Sequence, residues 1–308
     1  MADNKDTTVF VTGATGAQGG ALSRELINRG FQVHSITRDP ASARAAALAQ
    51  AGVQFTKGNW DDEHALREAM SGCSKLLLCL MSDIVEPDRE RRQCLGIVNM
   101  AREAGVSQVV SSTSLGVSMF ANPDHLQPGS LLYDLLVVKK AMEDMIAGAD
   151  FHSYTLLRPA YFMLNFLEPN INNYADLMSH GVWSTSLTAD SQLGLIDHQD
   201  IARIAAAAFE NPEADKFRGQ AIGLVSEFLS PQQTMDVLGG VMGRSFKTSF
   251  LSNEEIAALP YGPMVLIKLD KCMRYMPDYV DMERLREIGS LTPFKTFLQR
   301  EKKHVKRL

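Results

Sequence analysis

The sequence lacks most of the signatures that would assign it at a glance. Its four cysteines, Cys73, Cys79, Cys94 and Cys272, are scattered. With no CxxC pair and no Cys/His cluster at zinc spacing, no metal site is expected. Cys73 and Cys79 lie in or beside an apolar run, where a buried thiol is the plain expectation. An excess of one charge is also missing. Against 36 Asp and Glu stand 31 Lys and Arg, a net charge of -5. Such a balance offers no electrostatic footprint for a polyphosphate backbone, so nucleic acid is not an expected partner. The longest apolar run, KLLLCLMSD, is far too short to span a bilayer. The polar start MADNKDTT carries no signal-peptide core. A soluble chain in a reducing, cytoplasmic setting is expected, with no membrane partner. No internal repeat or low-complexity tract interrupts it.

What is present is ordinary globular composition: 308 residues, 45% hydrophobic and 22% charged, enough for one large core and a smaller lobe. The first half alternates strand-like and helix-like segments. TTVFVTG, FQVHSITR, VQFTKGN, KLLLCLM and SQVVSSTS read as strands, separated by helical stretches such as GGALSRELINRG and PDRERRQCLGIVNMAREAG. Near-continuous apolar strands between helices predict a parallel sheet covered on both faces. LLYDLLVVKKAMEDMIAG continues as a helix and HSYTLLRP as a strand. Beyond Pro159 the rhythm loosens into a region rich in Met and Pro. One helix there, DIARIAAAAFENP, has Asp200 as its expected N-cap. The expected fold is α/β: a Rossmann domain with a doubly wound parallel sheet over residues 1–158, with a segment near 195–225 returning to it. A smaller, mostly helical C-terminal substrate lobe over 159–308 completes the chain. The basic end REKKHVKRL reads as a solvated helix end.

Gly13, Gly16 and Gly19 make a GxxGxxG pattern, GATGAQG, between an apolar strand and a helix. That context is the one a dinucleotide site requires. One glycine makes the tight turn, another lets backbone approach the pyrophosphate, and a third lets helix and sheet pack closely. The helix N-terminus then offers free N–H groups to the phosphates. The second strand ends SITRD, placing Thr37 and Arg38 where NAD-specific sites carry an acid. A guanidinium suits a 2′-phosphate, which favours NADP(H) over NAD. Asp39 follows directly and keeps NAD in view, although it can instead cap a helix starting at Pro40.

Together VTGATGAQGG, ITRDP, KGNWDD, TLLRPAYFMLNF and LIDHQDIARIAAAAFENP, in this order over nearly the whole chain, resemble the NmrA-like family. That family belongs to the atypical short-chain dehydrogenase/reductases and is related to the isoflavone-reductase-like enzymes. Its members include NADP(H)-dependent reductases of small, often aromatic compounds, and cofactor-sensing regulators. The resemblance implies a pyrophosphate loop of Gly13, Thr15, Gly16, Ala17, Gln18 and Gly19, with Arg38 reading the 2′-phosphate. It implies Asn59 and Trp60 near the adenine, and Leu80, Met81 and Ser82 along the cofactor's middle. Pro159, Tyr161 and Phe162 fall beside the expected nicotinamide.

One absence bears on catalysis. Classical short-chain dehydrogenases pair a Tyr with a Lys four residues later on one helix face. Here Leu135 stands four residues before Lys139, and Leu136 four before Lys140. Tyr133 precedes Lys140 by seven residues, roughly 10 Å along the axis; it reads as wall or packing. Leu135, Val138, Met142, Met145 and Ile146 share one apolar face that Lys139 borders and Lys140 avoids. Lys139, which also aligns with the family's lysine in its K-x-x-x-E pattern, is therefore the candidate for holding the nicotinamide ribose and lowering the pKa of a nearby donor. The bland alternative is a partly exposed lysine paired with Glu143. Thr113 and Ser112, at the end of the fifth strand, can support a carbonyl oxygen as charge develops, or merely satisfy backbone groups. Tyr161, Met163, Asn165 and Phe166, with Tyr133, are candidates for the substrate wall, Asn165 as its orienting polar group. His180 is a candidate proton donor, and His198 reads as structural.

The expected function is NADPH-dependent reduction of a small organic substrate, aromatic or polyketide-like. Two rivals remain: an NADP(H) sensor without catalysis, and an enzyme that keeps its cofactor for a non-redox rearrangement or cyclisation. Oligomeric state, including a homo-oligomer, is open.

Overall fold

The computed structural model describes residues 4–83 and 85–301. Its strands are β1 (Thr8–Val11), β2 (Gln32–Thr37), β3 (Val53–Lys57), β4 (Lys75–Leu78), β5 (Gln108–Ser112), β6 (Ser153–Pro159), β7 (Tyr161–Phe162), β8 (Val182–Thr185), β9 (Leu193–Ile196), β10 (Gln220–Leu224), β11 (Glu227–Leu229) and β12 (Lys247–Phe250). The first five helices are α1 (Ala17–Asn28), α2 (Ala43–Gln50), α3 (Glu63–Met70), α4 (Pro87–Glu103) and α5 (Leu131–Ala147).

A seven-stranded sheet in the order β10-β6-β5-β4-β1-β2-β3 is the frame of the molecule. From β6 to β3 every neighbouring pair is parallel. This is the doubly wound α/β arrangement that the alternating pattern predicts. Its central strands are buried on both faces, residue after residue, in β1 and β5, as helices on either side of a parallel sheet require. The chain order reverses where β1 lies between β4 and β2. Ligands of such sheets bind in the crevice at that reversal, beyond the carboxyl ends of the strands.

The chain divides into two compact units. The first comprises residues 4–117, 133–158 and 201–222, and the second 118–132, 159–200 and 223–301. The expected boundary therefore shifts at 118–132, which belongs to the second unit. His125 explains why. Its ring stacks on Tyr275 at 4.0 Å between centroids, and its Nδ1 lies 2.7 Å from the Tyr279 hydroxyl. The segment that returns to the first unit is 201–222, inside the expected stretch near 195–225.

Besides its helices, the second unit holds a three-stranded sheet, β11-β9-β7, and a parallel pair, β12-β8. Short strands of two to four residues carry too little period for the sequence to announce them. Its core is aromatic: Phe166 meets Trp183 edge-on at 5.6 Å and Phe294 at 5.4 Å.

Two expected caps move. α2 begins at Ala43 with Ser42 as its N-cap, while Asp39 Oδ1 accepts from Ala41 N at 3.0 Å in the turn before it. The helix His198–Glu210 starts on Asp197, whose Oδ1 accepts from Gln199 N at 3.0 Å. Asp200 is fully buried and accepts instead from Ser226 Oγ at 2.5 Å and from Thr292 N and Oγ1 at 2.7 and 2.8 Å. A long-range role outbids the local one because a buried carboxylate must satisfy all its lone pairs. Arg300 grips Asp197 with bonds of 2.7 and 3.0 Å, and against the cost of burial the hydrogen bonds of His198 and Arg300 hold that carboxyl well below its ordinary range. The basic stretch beyond Glu301 lies outside the described residues. Among those described, no helix is long and apolar enough to cross a membrane.

Candidate functional site

The glycine turn follows β1 at the point of reversal. Thr12 ties it to the end of β4: its Oγ1 lies 3.0 Å from Leu77 O and accepts from Cys79 N at 2.7 Å. Gly13 turns the chain with φ of +66°, a conformation that side chains disfavour. Its carbonyl then accepts from Gly16 N at 2.8 Å. A Cβ on Gly19 would lie 2.4 Å from Gly13 O and 2.6 Å from Gly13 C, so only glycine lets α1 close on the turn. Gly16 is the N-cap of α1 and gives no side-chain cap, and the first turn holds no acid. Gly16 and Ala17 are exposed, with Thr15 and Gln18 half-buried beside them. The free N–H groups at this helix start are a ready anion cradle, and a pyrophosphate fits it.

The neighbouring strand ends supply the rest of a nucleotide site. Arg38, one residue beyond β2, is exposed and has no hydrogen bond or ion pair among the described residues. Asn59 is exposed after β3, its Oδ1 accepting from Asp61 N at 2.8 Å. Trp60 packs against the first unit's core, and its ring lies 3.8 Å from where a Gly13 Cβ would be. A guanidinium and an indole at the ends of two neighbouring strands suit a phosphorylated ribose and its base. After β4, Leu80 is buried, Met81 is 77% exposed and Ser82 half-buried.

Lys139 is the point where the structure departs furthest from the bland expectation. It is not a half-exposed lysine paired with Glu143. Its Nζ forms an ion pair with Glu90 of α4, which is 2% exposed, and donates to Leu80 O at 3.2 Å. Glu143 is occupied elsewhere, by Arg158 through bonds of 2.6 and 3.0 Å and by Thr113 Oγ1 at 2.5 Å. Lys140 pairs with Asp144 at the surface, as the helical wheel requires. Ser112 donates to Gln18 Oε1 at 2.7 Å, linking the end of β5 to the start of α1. Both hydroxyls thus have side-chain partners inside the first unit. Tyr133 lies in α5 and is half-buried. Sequence reasoning missed Glu90, Arg158 and Thr12. Glu90 stands in the charged run PDRERRQ, where nothing local separates it from its solvated neighbours. Burial pushes the thiols of Cys73 and Cys94 up to about 12, which leaves them unreactive.

Of the substrate-wall candidates in the second unit, Met163 and Phe166 prove to be fully buried core. Aromatic and Met side chains pack inward where a second layer is there to receive them. Tyr161 is buried too: its hydroxyl meets that of Tyr174, Asn165 hydrogen-bonds it, and burial raises its pKa well above the ordinary value. Phe162 and Asn165 keep partial exposure, and Pro159 closes β6. His180 is an exposed surface residue 3.2 Å from Asp176. His198 packs edge-on to Phe297. No three His, Cys, Asp or Glu side chains gather as a metal site among the described residues.

The sequence profile of the NmrA-like family matches residues 5–292. A (4-alkanoyl-5-oxo-2,5-dihydrofuran-3-yl)methyl phosphate reductase of Streptomyces griseus is 27% identical over 241 residues, covering 78% of this chain and 75% of its own. The NADPH-dependent quinone oxidoreductase QOR2 of Escherichia coli, solved with NADPH, shares the fold with a TM-score of 0.74 at 23% identity, over 95% of this chain and 99% of its own. NmrA, a negative transcriptional regulator solved with NADP, does so with a TM-score of 0.75 at 16% identity, over 97% and 98%.

Proposed function

A chain matched from residue 5 to residue 292 belongs to the NmrA-like family, and we propose that this member is an NADPH-dependent reductase of a small organic carbonyl or activated carbon, on an aromatic or polyketide-like skeleton. Gly13, Thr15, Gly16, Ala17, Gln18 and Gly19 hold the pyrophosphate, Arg38 the 2′-phosphate, and Asn59 and Trp60 the adenine. Leu80, Met81 and Ser82 run along the cofactor's middle, and Lys139 holds the nicotinamide ribose. Bound NADPH supplies a hydride.

The observation that carries catalysis, beyond nucleotide binding, is the Lys139–Glu90 pair with its third contact to Leu80 O. Burying an ion pair costs more than an apolar contact would. Keeping one at the carboxyl ends of the strands is reasonable where a fixed positive charge has work to do. Lys139 stabilises negative charge developing on the substrate, with Ser112 and Thr113 aligning the hydroxyl groups around it. Leu135 offers no acid beside Lys139, which leaves water, Tyr161 or the ribose hydroxyl as the proton source. The test is NADPH consumption against a panel of quinones, furanones and aromatic ketones. Lys139→Met should lose about 10²-fold or more in turnover while Lys140→Met stays near the parent; equal effects would sink the assignment.

A second reading, an NADP(H) sensor without turnover, is favoured by the missing tyrosine at Leu135 and by the likeness to the NmrA regulator. It requires no turnover across the whole panel, together with binding of a protein partner that differs between NADP and NADPH.

A further inference from the structure

The second unit contains a cavity that none of the nucleotide-site residues lines. It is an open hollow of about 440 Å³ at the carboxyl ends of the parallel pair β8 and β12. The two strands are in register to their last residues, Thr185 opposite Phe250. Ser186, Leu187 and Thr188 continue from one strand end and Leu251, Ser252 and Asn253 from the other, and all six line the cavity. Loops beyond the carboxyl ends of parallel strands are where α/β proteins place ligands.

The remaining wall is cationic. Lys271 and Arg274 both line the cavity and both belong to the 3-10 helix Lys271–Tyr279. With three residues per turn, positions i and i+3 eclipse, which puts both charges on one side. The Arg274 guanidinium is anchored by one bond, Nη2 to Ser186 O at 2.9 Å. Its Nε is buried without a partner among the described residues, an uncommon state for so strong a donor. Lys271 is exposed and has no hydrogen bond or ion pair among the described residues. No carboxylate is among the lining residues, and the nearest that acts on them is Asp190, which lies within electrostatic reach of Arg274 from outside the cavity. Glu255 turns back to accept from Ser252 N at 2.7 Å, and Asp190 hydrogen-bonds Thr188 on an exposed turn. Phe250, 42% exposed, and Ile256 give the cavity an apolar side.

We propose that this cavity binds a small organic oxyanion, a carboxylate or phosphate monoester on a short apolar or aromatic body, with Arg274 and Lys271 holding the charge and Phe250 and Ile256 covering the body. The site is independent of the NADPH reading. The test is calorimetric titration of the full chain with phenyl phosphate, benzoate, neutral benzamide and inorganic phosphate at low salt. At least one of the two organic anions should bind saturably, the tighter one naming the group. Benzamide should bind at least tenfold more weakly. Inorganic phosphate should also bind more weakly than phenyl phosphate if the apolar side contributes. Lys271→Gln, a change at an exposed side chain without partners, should weaken binding several-fold, and Arg274→Lys, which keeps charge but loses the fork, at least tenfold. Arg38→Ala should leave these affinities unchanged, which separates this cavity from the nucleotide site. The proposal is overturned if neither organic anion binds, if benzamide or inorganic phosphate binds as well, if the Lys271→Gln/Arg274→Lys double variant binds equally, or if Arg38→Ala abolishes binding.

Discussion

Exchanging Glu90 for Gln removes one charge from a buried pair while keeping shape. Glu90 and Lys139 side chains are 2% and 10% exposed, so the charge left on Lys139 has little water to solvate it. Breaking such a pair from one side costs about 3–5 kcal/mol, and the isosteric change belongs near the lower end. The neighbouring pair on the same helix sets the scale. Lys140 and Asp144 side chains are 41% and 62% exposed, and an exposed i,i+4 pair contributes about 0.3–0.5 kcal/mol. The assay is urea unfolding of Glu90→Gln, Asp144→Asn and the double variant Glu90→Leu/Lys139→Met. Glu90→Gln should lower the midpoint strongly at unchanged slope, and Asp144→Asn hardly at all. The double variant should recover to within about 1 kcal/mol of the parent, because an apolar pair of similar volume removes the desolvation cost altogether. A loss below about 1 kcal/mol in Glu90→Gln, with no recovery in the double variant, would refute the buried pair.

Gly19→Ala forces a Cβ to 2.4 Å from Gly13 O, so the turn must open; NADPH affinity measured by fluorescence should fall at least tenfold. Gly96→Ala, inside α4 with only Met100 Cε at 3.8 Å, should instead stabilise the chain by about 0.5–1 kcal/mol. Arg38→Ala should weaken NADPH binding about tenfold or more and leave NADH unchanged; parallel losses would remove its role at the 2′-phosphate. Burial raises the Asp270 carboxyl from 3.8 to about 7. Below pH 4 native and unfolded chains both hold that proton, and between 4 and 7 only the native chain does. Stability should therefore fall as pH rises through that window and level off above it. Asp270→Asn should remove this component of the decline, and identical pH profiles for parent and variant would mean the carboxyl is solvated.

The architecture was largely legible in the sequence because its determinants are local. Apolar runs separated by helices become a buried parallel sheet. Gly13, Gly16 and Gly19 announce a turn whose sterics act within seven residues, and the structure gives Gly13 its positive φ and Gly19 its 2.4 Å approach. The helical period likewise sets Lys139 at the border of the apolar face and Lys140 away from it. What only tertiary structure decided was the partner of each charge. Lys139 found Glu90, 49 residues away, while Glu143 went to Arg158 and Thr113. Asp200 was drawn from an expected cap into a buried network with Ser226 and Thr292. Residues 118–132 joined the second unit because His125 had two tyrosines there to meet. Backbone conformation is set by neighbours along the chain. The meaning of a charge is set by how much water its site excludes and which opposite group shares the exclusion, and both are properties of packing.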